Sequence, residues 1–190
     1  MSTLQLDPKK TALVIIDLQK GIVAYKTAPY SSAEVIERSA RLAKALREKH
    51  GTVAYVHVNM SEFLKLPADQ PMRDPSAPPP PPEASELVPE AGFQQGDLLI
   101  TKRQWGAFAG TDLEKQLRQR GIETIVLTGI STNFGVESTA RQGTGLGFGF
   151  VTVEDACSSQ DAEMHKFSFE KIFPRLARVR STEEVLAALK

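Results

Sequence analysis

Six short apolar, β-branched runs, separated by stretches of helical spacing or by turns, leave this chain few architectures to adopt. The runs are Thr11 to Ile16, Val53 to Val58, Leu98 to Thr101, Thr124 to Thr128, Phe148 to Val153 and the short Ala177 to Val179. Between the first two, Val35, Ile36, Leu42, Ala43 and Leu46 recur at three-to-four spacing, which predicts a helix over Ala33 to Lys49. Ser32 is its expected N-cap and Gly51 ends the element. Further helices are expected over Asp112 to Arg120, Val136 to about Gln142, Ala162 to Ile172 and Thr182 to Leu189. Apolar strands alternating with helices make parallel βαβ units, with the sheet covered on both faces. The fold class is therefore α/β, a three-layer α/β/α Rossmann-like arrangement around a six-stranded parallel sheet.

The length of 190 residues suits one compact domain, expected to span residues 1–190. Lys plus Arg and Asp plus Glu both number 23, so no net field draws the chain toward nucleic acid or an anionic membrane. The one cysteine, Cys157, cannot close an internal disulfide, which suits a reducing compartment. The first residues lack the apolar run of a signal peptide, and no later run reaches the roughly 20 residues of a membrane span. A cytoplasmic protein is the expectation, with no nucleic-acid or membrane partner.

One interval breaks the rhythm. Residues 61–96 hold nine of the twelve prolines, including the run Pro78 to Pro82, which should be extended polyproline II. So long a loop in a compact domain is functional or unstructured. It reads as a stiff surface excursion or subunit-contact arm, as an active-site lid, or as a proline-rich ligand for another domain.

Ligands of open α/β sheets bind outside the carboxyl ends of the strands. The residues there are Asp17, then His57 to Asn59, then Lys102, then Gly129 to Gly135, then Glu154 to Cys157. From pattern alone, Asp17 and Lys102 either meet in one crevice or stand apart as solvated charges.

Three segments carry a more specific signal: Val14-Ile15-Ile16-Asp17-Leu18-Gln19, Thr101 to Phe108, and Thr128-Gly129-Ile130-Ser131-Thr132-Asn133-Phe134-Gly135-Val136-Glu137-Ser138-Thr139-Ala140. In order and spacing they resemble the signature segments of the isochorismatase-like (cysteine) hydrolases, over nearly the whole chain. The resemblance places the family's Asp and Lys on Asp17 and Lys102, and its cysteine nucleophile on Gly135. The family's thiolate route is closed to a glycine. Cys157 follows a different strand and reads as a packing residue.

The resemblance implies a metal-independent hydrolase of a small organic substrate with no cofactor. The isochorismatases proper also lack the cysteine and hydrolyse a vinyl ether, so an isochorismate-type substrate is the expectation. Asp17 would then be a general acid, which needs a raised pKa. Lys102 opposes that shift, so burial or substrate carboxylates must overcome it. Gly135 shapes the pocket, Trp105 and Phe108 form an aromatic wall or ordinary core, and Gln19 orients the Asp17 loop or caps a turn. Ile130, Ser131, Thr132 and Asn133 are expected beside the substrate, with a cis peptide at Ile130–Ser131 and free backbone N–H groups near Gly135. A homodimer or homotetramer is the family's common assembly.

Other signals fall away. Gly143, Gly145, Gly147 and Gly149 lead from helix into strand, the reverse of a dinucleotide loop, and read as a loose helix ending. His50, His57 and His165 are scattered rather than set at metal-ligand spacing, and Ser131 and Ser138 suggest no triad with them. A ligand-binding module that lost its chemistry, and a structural oligomer-forming protein, are the remaining readings.

Overall fold

The computed structural model describes residues 4–189 apart from Met72 and Pro75. Its six strands are β1 (Thr11–Ile16), β2 (Thr52–Val58), β3 (Leu98–Lys102), β4 (Thr124–Ile130), β5 (Gly149–Ser158) and β6 (Arg178–Arg180). They form one parallel sheet in the order β3-β2-β1-β4-β5-β6. The strand β1 sits at its centre and every residue of it is buried, as an unbroken apolar run in a doubly covered strand should be.

Alternate residues of β1 enter different cores. Leu13 and Ile15 pack with Leu42 and Leu46 of helix α2 (Ser32–Glu48) and Val185 of α7 (Thr182–Ala188). Ala12, Val14 and Ile16 pack on the other face with Leu113 and Leu117 of α3 (Leu113–Gln119) and Ala140 of α4 (Glu137–Gly145). The short α1 (Lys20–Val23) follows β1 directly. Strand order reverses between β1 and β4, so their carboxyl ends frame the crevice where such sheets take ligands.

Several boundaries differ from the sequence expectation. The N-cap of α2 is Ser31, not Ser32: its hydroxyl accepts from the Glu34 amide and the Glu34 carboxylate accepts from the Ser31 amide. This capping box is worth about 1 kcal/mol. Gly129 and Ile130 belong to β4 and Lys102 to β3, rather than following them.

Strand β5 runs on through Glu154, Asp155, Ala156 and Cys157, which were expected to follow it. Two features allow this. The pairing of β4 with β5 shifts register between Leu127 and Gly129, and Gly129 (φ +124°) passes so close to Ile16 that any Cβ would strike its carbonyl oxygen. The polar pair is also satisfied in place: Glu154 accepts from Tyr30, and Asp155 from the amide and hydroxyl of Thr182.

The helix expected over Ala162 to Ile172 is broken. Its first part, α5, ends at Phe167, a wide turn spans Ser168–Ile172, and α6 covers Phe173–Leu176. Pro174 has no N–H to continue the earlier helix. The expected helix after β4 begins as a wide π-type turn, Thr132–Val136, before α4, which reaches Gly145 rather than Gln142. Gly143 and Gly145 therefore lie inside α4, and Gly147 (φ +87°) follows its end.

Within residues 61–96, Pro82–Ser85 and Pro89–Ala91 form single 3-10 turns, and Pro81 is extended (φ −64°, ψ 149°). Among the described residues no helix is long and apolar enough to cross a membrane.

Candidate functional site

Asp17 stands at the carboxyl end of β1 with φ +55°, a left-handed conformation that Asp and Asn tolerate better than most residues. Its amide donates to the Val56 carbonyl at 2.8 Å, fixing the turn against β2. From there the side chain meets Lys102 at the end of β3, with Nζ to Oδ2 at 2.7 Å. Both are buried, at 5% and 2% exposure. The Lys102 ammonium also donates to the Trp105 carbonyl at 2.8 Å. Of the two arrangements left open by the sequence, the two groups meet rather than stand apart as solvated charges.

The electrostatics of Asp17 are decided by burial. Loss of hydration raises its pKa, and the Lys102 charge and hydrogen bond oppose that rise without reversing it. Its second oxygen, Oδ1, has no hydrogen-bond partner among the described residues. An ammonium donor already occupies Oδ2, so a proton on this carboxyl belongs on Oδ1.

Gly135 faces this pair. A Cβ built on it would lie 3.0 Å from Ile16 Cγ2, 3.1 Å from Asp17 Oδ2 and 3.4 Å from Lys102 Nζ. Any side chain there would point into the carboxylate–ammonium contact. The Gly135 carbonyl accepts from Thr139 Oγ1 at 2.7 Å, and that hydroxyl accepts from the Ala107 amide at 3.1 Å. The turn is thereby tied to the segment following Lys102.

The peptide Ile130–Ser131 is cis. Ile130 is in the core, while the Ser131 carbonyl accepts from both the Phe134 and Val136 amides. Those two N–H groups are used within the turn itself.

The remaining candidates fall into four places. Trp105 is half-buried and stacks on Phe134 at 4.7 Å, with Phe63 edge-on at 5.2 Å, so an aromatic cluster lies beside Lys102. Phe108 is elsewhere: it stacks on Phe148 at 5.7 Å within the core and lines no crevice with Trp105. Gln19 is fully buried, and its amide is used up by backbone, donating to the Val58 and Ala84 carbonyls and accepting from the Val58 amide. It ties the Asp17 loop to β2 and to the proline-rich interval. Asn133 turns toward α5, accepting from Ser159 and donating to the Met164 sulfur. Thr132 is buried and hydrogen-bonded to His165 at 2.8 Å.

His165 is the residue that sequence pattern missed. It lies 33 positions from Thr132 and 11 from Glu154, yet bonds to both. No motif marks such spacings. Cys157 is buried against the Leu127 carbonyl and burial pushes its thiol far up, so it is inert.

Comparison with known proteins places the chain in a family. The family profile described as "Isochorismatase domain" matches residues 11–184. The isochorismatase family protein YecD of Escherichia coli O157:H7 is 51% identical, covering 98% of this chain and all (100%) of its own length. An isochorismatase family protein from Burkholderia thailandensis superposes with a TM-score of 0.92 at 44% identity, covering 99% of each chain. The ureidoacrylate amidohydrolase RutB of Acinetobacter baylyi is 29% identical over 89% of this chain and 79% of its own. The profile match, the identity over nearly the whole chain and the shared fold show that the chain belongs to the isochorismatase family.

Proposed function

We propose that this protein is a metal-independent hydrolase of a small organic substrate, in which Asp17 and Lys102 act without a side-chain nucleophile. The observation that carries the reading is the glycine at 135, whose missing Cβ would stand 3.1 Å from Asp17 and 3.4 Å from Lys102. Where a cysteine would occupy that space, here a substrate atom or a water can.

An isochorismate-type vinyl ether suits the arrangement. Protonated Asp17 gives its Oδ1 proton to the terminal methylene carbon, leaving an oxocarbenium centre on the ether carbon. Lys102 stabilises the carboxylate left behind. Water adds to that centre and gives a proton back to Asp17, and the hemiketal collapses to pyruvate and an alcohol. One water is consumed, and the acid is regenerated. Trp105 and Phe134 offer a flat apolar face beside the reacting groups.

The test is pyruvate release from isochorismate, corrected for spontaneous breakdown, in wild type and Asp17→Asn. Asn keeps the left-handed backbone at position 17 tolerable, so loss of rate reports chemistry rather than misfolding. The expected result is release above background that falls by about 100-fold or more in the variant, the scale of a lost general acid. Release equal in the two proteins overturns the role of Asp17. Binding without turnover in wild type makes the protein a ligand-binding module on the same fold.

A further inference from the structure

A second buried polar array ends on the turn that carries Gly135, and the hydrolytic scheme makes no use of it. Thr132 Oγ1 meets His165 Nδ1 at 2.8 Å, and His165 Nε2 meets Glu154 Oε1 at 3.0 Å. Tyr30 donates its hydroxyl to both oxygens of Glu154, at 3.1 and 2.9 Å. Thr132 is fully buried and His165 only 2% exposed, between the rings of Tyr30 (5.9 Å) and Phe169 (4.6 Å).

The hydrogen-bond roles follow from chemistry. His165 and Tyr30 bond to Glu154 and hold its carboxyl below its usual range, although burial opposes them, so it is an acceptor only. His165 must therefore carry its proton on Nε2. In the neutral ring Nδ1 is then an acceptor, and the Thr132 hydroxyl has to donate to it. A second ring proton makes Nδ1 a donor, so the Thr132 proton must turn elsewhere in a buried place.

The consequence reaches the site because Thr132 opens the turn Thr132–Val136. The same turn holds Gly135 against Asp17 and Phe134 against Trp105, whose carbonyl fixes Lys102. We propose that His165 is a positioning residue: with a neutral ring it locks the Thr132–Val136 turn over the Asp17–Lys102 pair, and protonation of the ring loosens that turn. Its catalytic consequence rests on the hydrolase reading; the coupling to the turn does not.

The charged and titratable groups around the array are Glu154 and Asp155 from β5, Tyr30 before α2, Glu34 and Arg38 from α2, and Glu137 from α4. Arg38 lies over the Tyr30 ring at 4.8 Å and contacts Asp155, and Glu137 accepts from Ser168. Asp17 faces the same turn from the end of β1, and Asp17→Asn separates its titration from that of His165.

Trp105 is the sole tryptophan, so its emission reads the turn without any substrate. The experiment follows Trp105 fluorescence and histidine ring-nitrogen NMR of the full chain against pH. The His165 signals are assigned by their disappearance in His165→Gln. The expected result is an Nε2–H tautomer at high pH, with an emission step sharing the midpoint of His165. The step vanishes in His165→Gln. Thr132→Val fixes emission at the wild-type low-pH value, whereas Thr132→Ser and Asp17→Asn keep the step.

A proton found on Nδ1 overturns the proposal, as does an emission step that survives both His165→Gln and Thr132→Val. In pyruvate release, His165→Gln should lower kcat about tenfold or more with little change in KM, the mark of a displaced rather than missing group. If the emission coupling holds while wild type releases no pyruvate above background, the vinyl ether reading falls and the coupling of His165 to the turn stands.

Discussion

Asp17–Lys102 and Thr132–His165–Glu154 are two polar clusters that touch one turn, Thr132–Val136, and they are built to opposite standards. In the second, each group of the chain from Thr132 to Tyr30 has a partner at 3.1 Å or closer. In the first, Asp17 Oδ1 has none among the described residues, its backbone is left-handed, and Gly135 sets no side chain of its own against the pair. A fully satisfied array rigidifies its surroundings, whereas an orphaned buried oxygen is tolerated where a ligand or proton transfer uses it. Under the proposed function, the difference separates groups that act on substrate from groups that hold them in place.

Breaking the pair at Lys102 should give the largest effect. Lys102→Met leaves Asp17 buried with no cation, and removing one partner of a buried ion pair costs about 3–5 kcal/mol. The double variant Asp17→Asn, Lys102→Met leaves no unpaired charge and should recover most of that loss. Urea unfolding of the three proteins checks this. A single variant as stable as wild type would show that the pair contributes nothing and that Asp17 is already neutral without it.

The protonation of Asp17 sharpens the comparison further. Its pKa in the folded protein is raised above the ordinary 3.8 by burial. The native state thus keeps a proton that the unfolded chain releases. Stability relative to the double variant should fall as pH rises from the ordinary carboxyl range through the raised native value, and then level off. Pyruvate release should fall over the alkaline side of the same raised value, because the acid form is the working one. A rate that rises with pH there would make Asp17 a base, and the vinyl ether scheme would fail.

How much of this was legible depended on whether neighbours in space were neighbours in sequence. The sheet was legible because each strand writes its own apolar run, and β1 was read to its last residue. Asp17, Lys102 and Gly135 were legible because each sits in or beside a strand end within a recognisable segment. The far half of β5 was not, because Glu154 and Asp155 look like loop residues until Tyr30, His165 and Thr182 arrive from distant segments to satisfy them. The same holds for Phe108 and Gln19. Their residue types suit a pocket wall or a substrate contact, but packing against Phe148 and three backbone bonds to Val58 and Ala84 place them in the scaffold.

The mildest break concerns the satisfied array. Thr132→Val keeps the shape of a fully buried side chain but removes its hydroxyl, leaving Nδ1 of His165 without its partner. An unsatisfied buried acceptor costs about 1–3 kcal/mol. The low end is expected here, because Glu154 still holds the other ring nitrogen and is open enough to solvent for the pair to adjust. Thr132→Ser should restore nearly all of it. If Thr132→Val instead cost as much as Lys102→Met, the two clusters would not differ in kind. The turn would then be one cooperative unit in which positioning and chemistry cannot be assigned to separate residues.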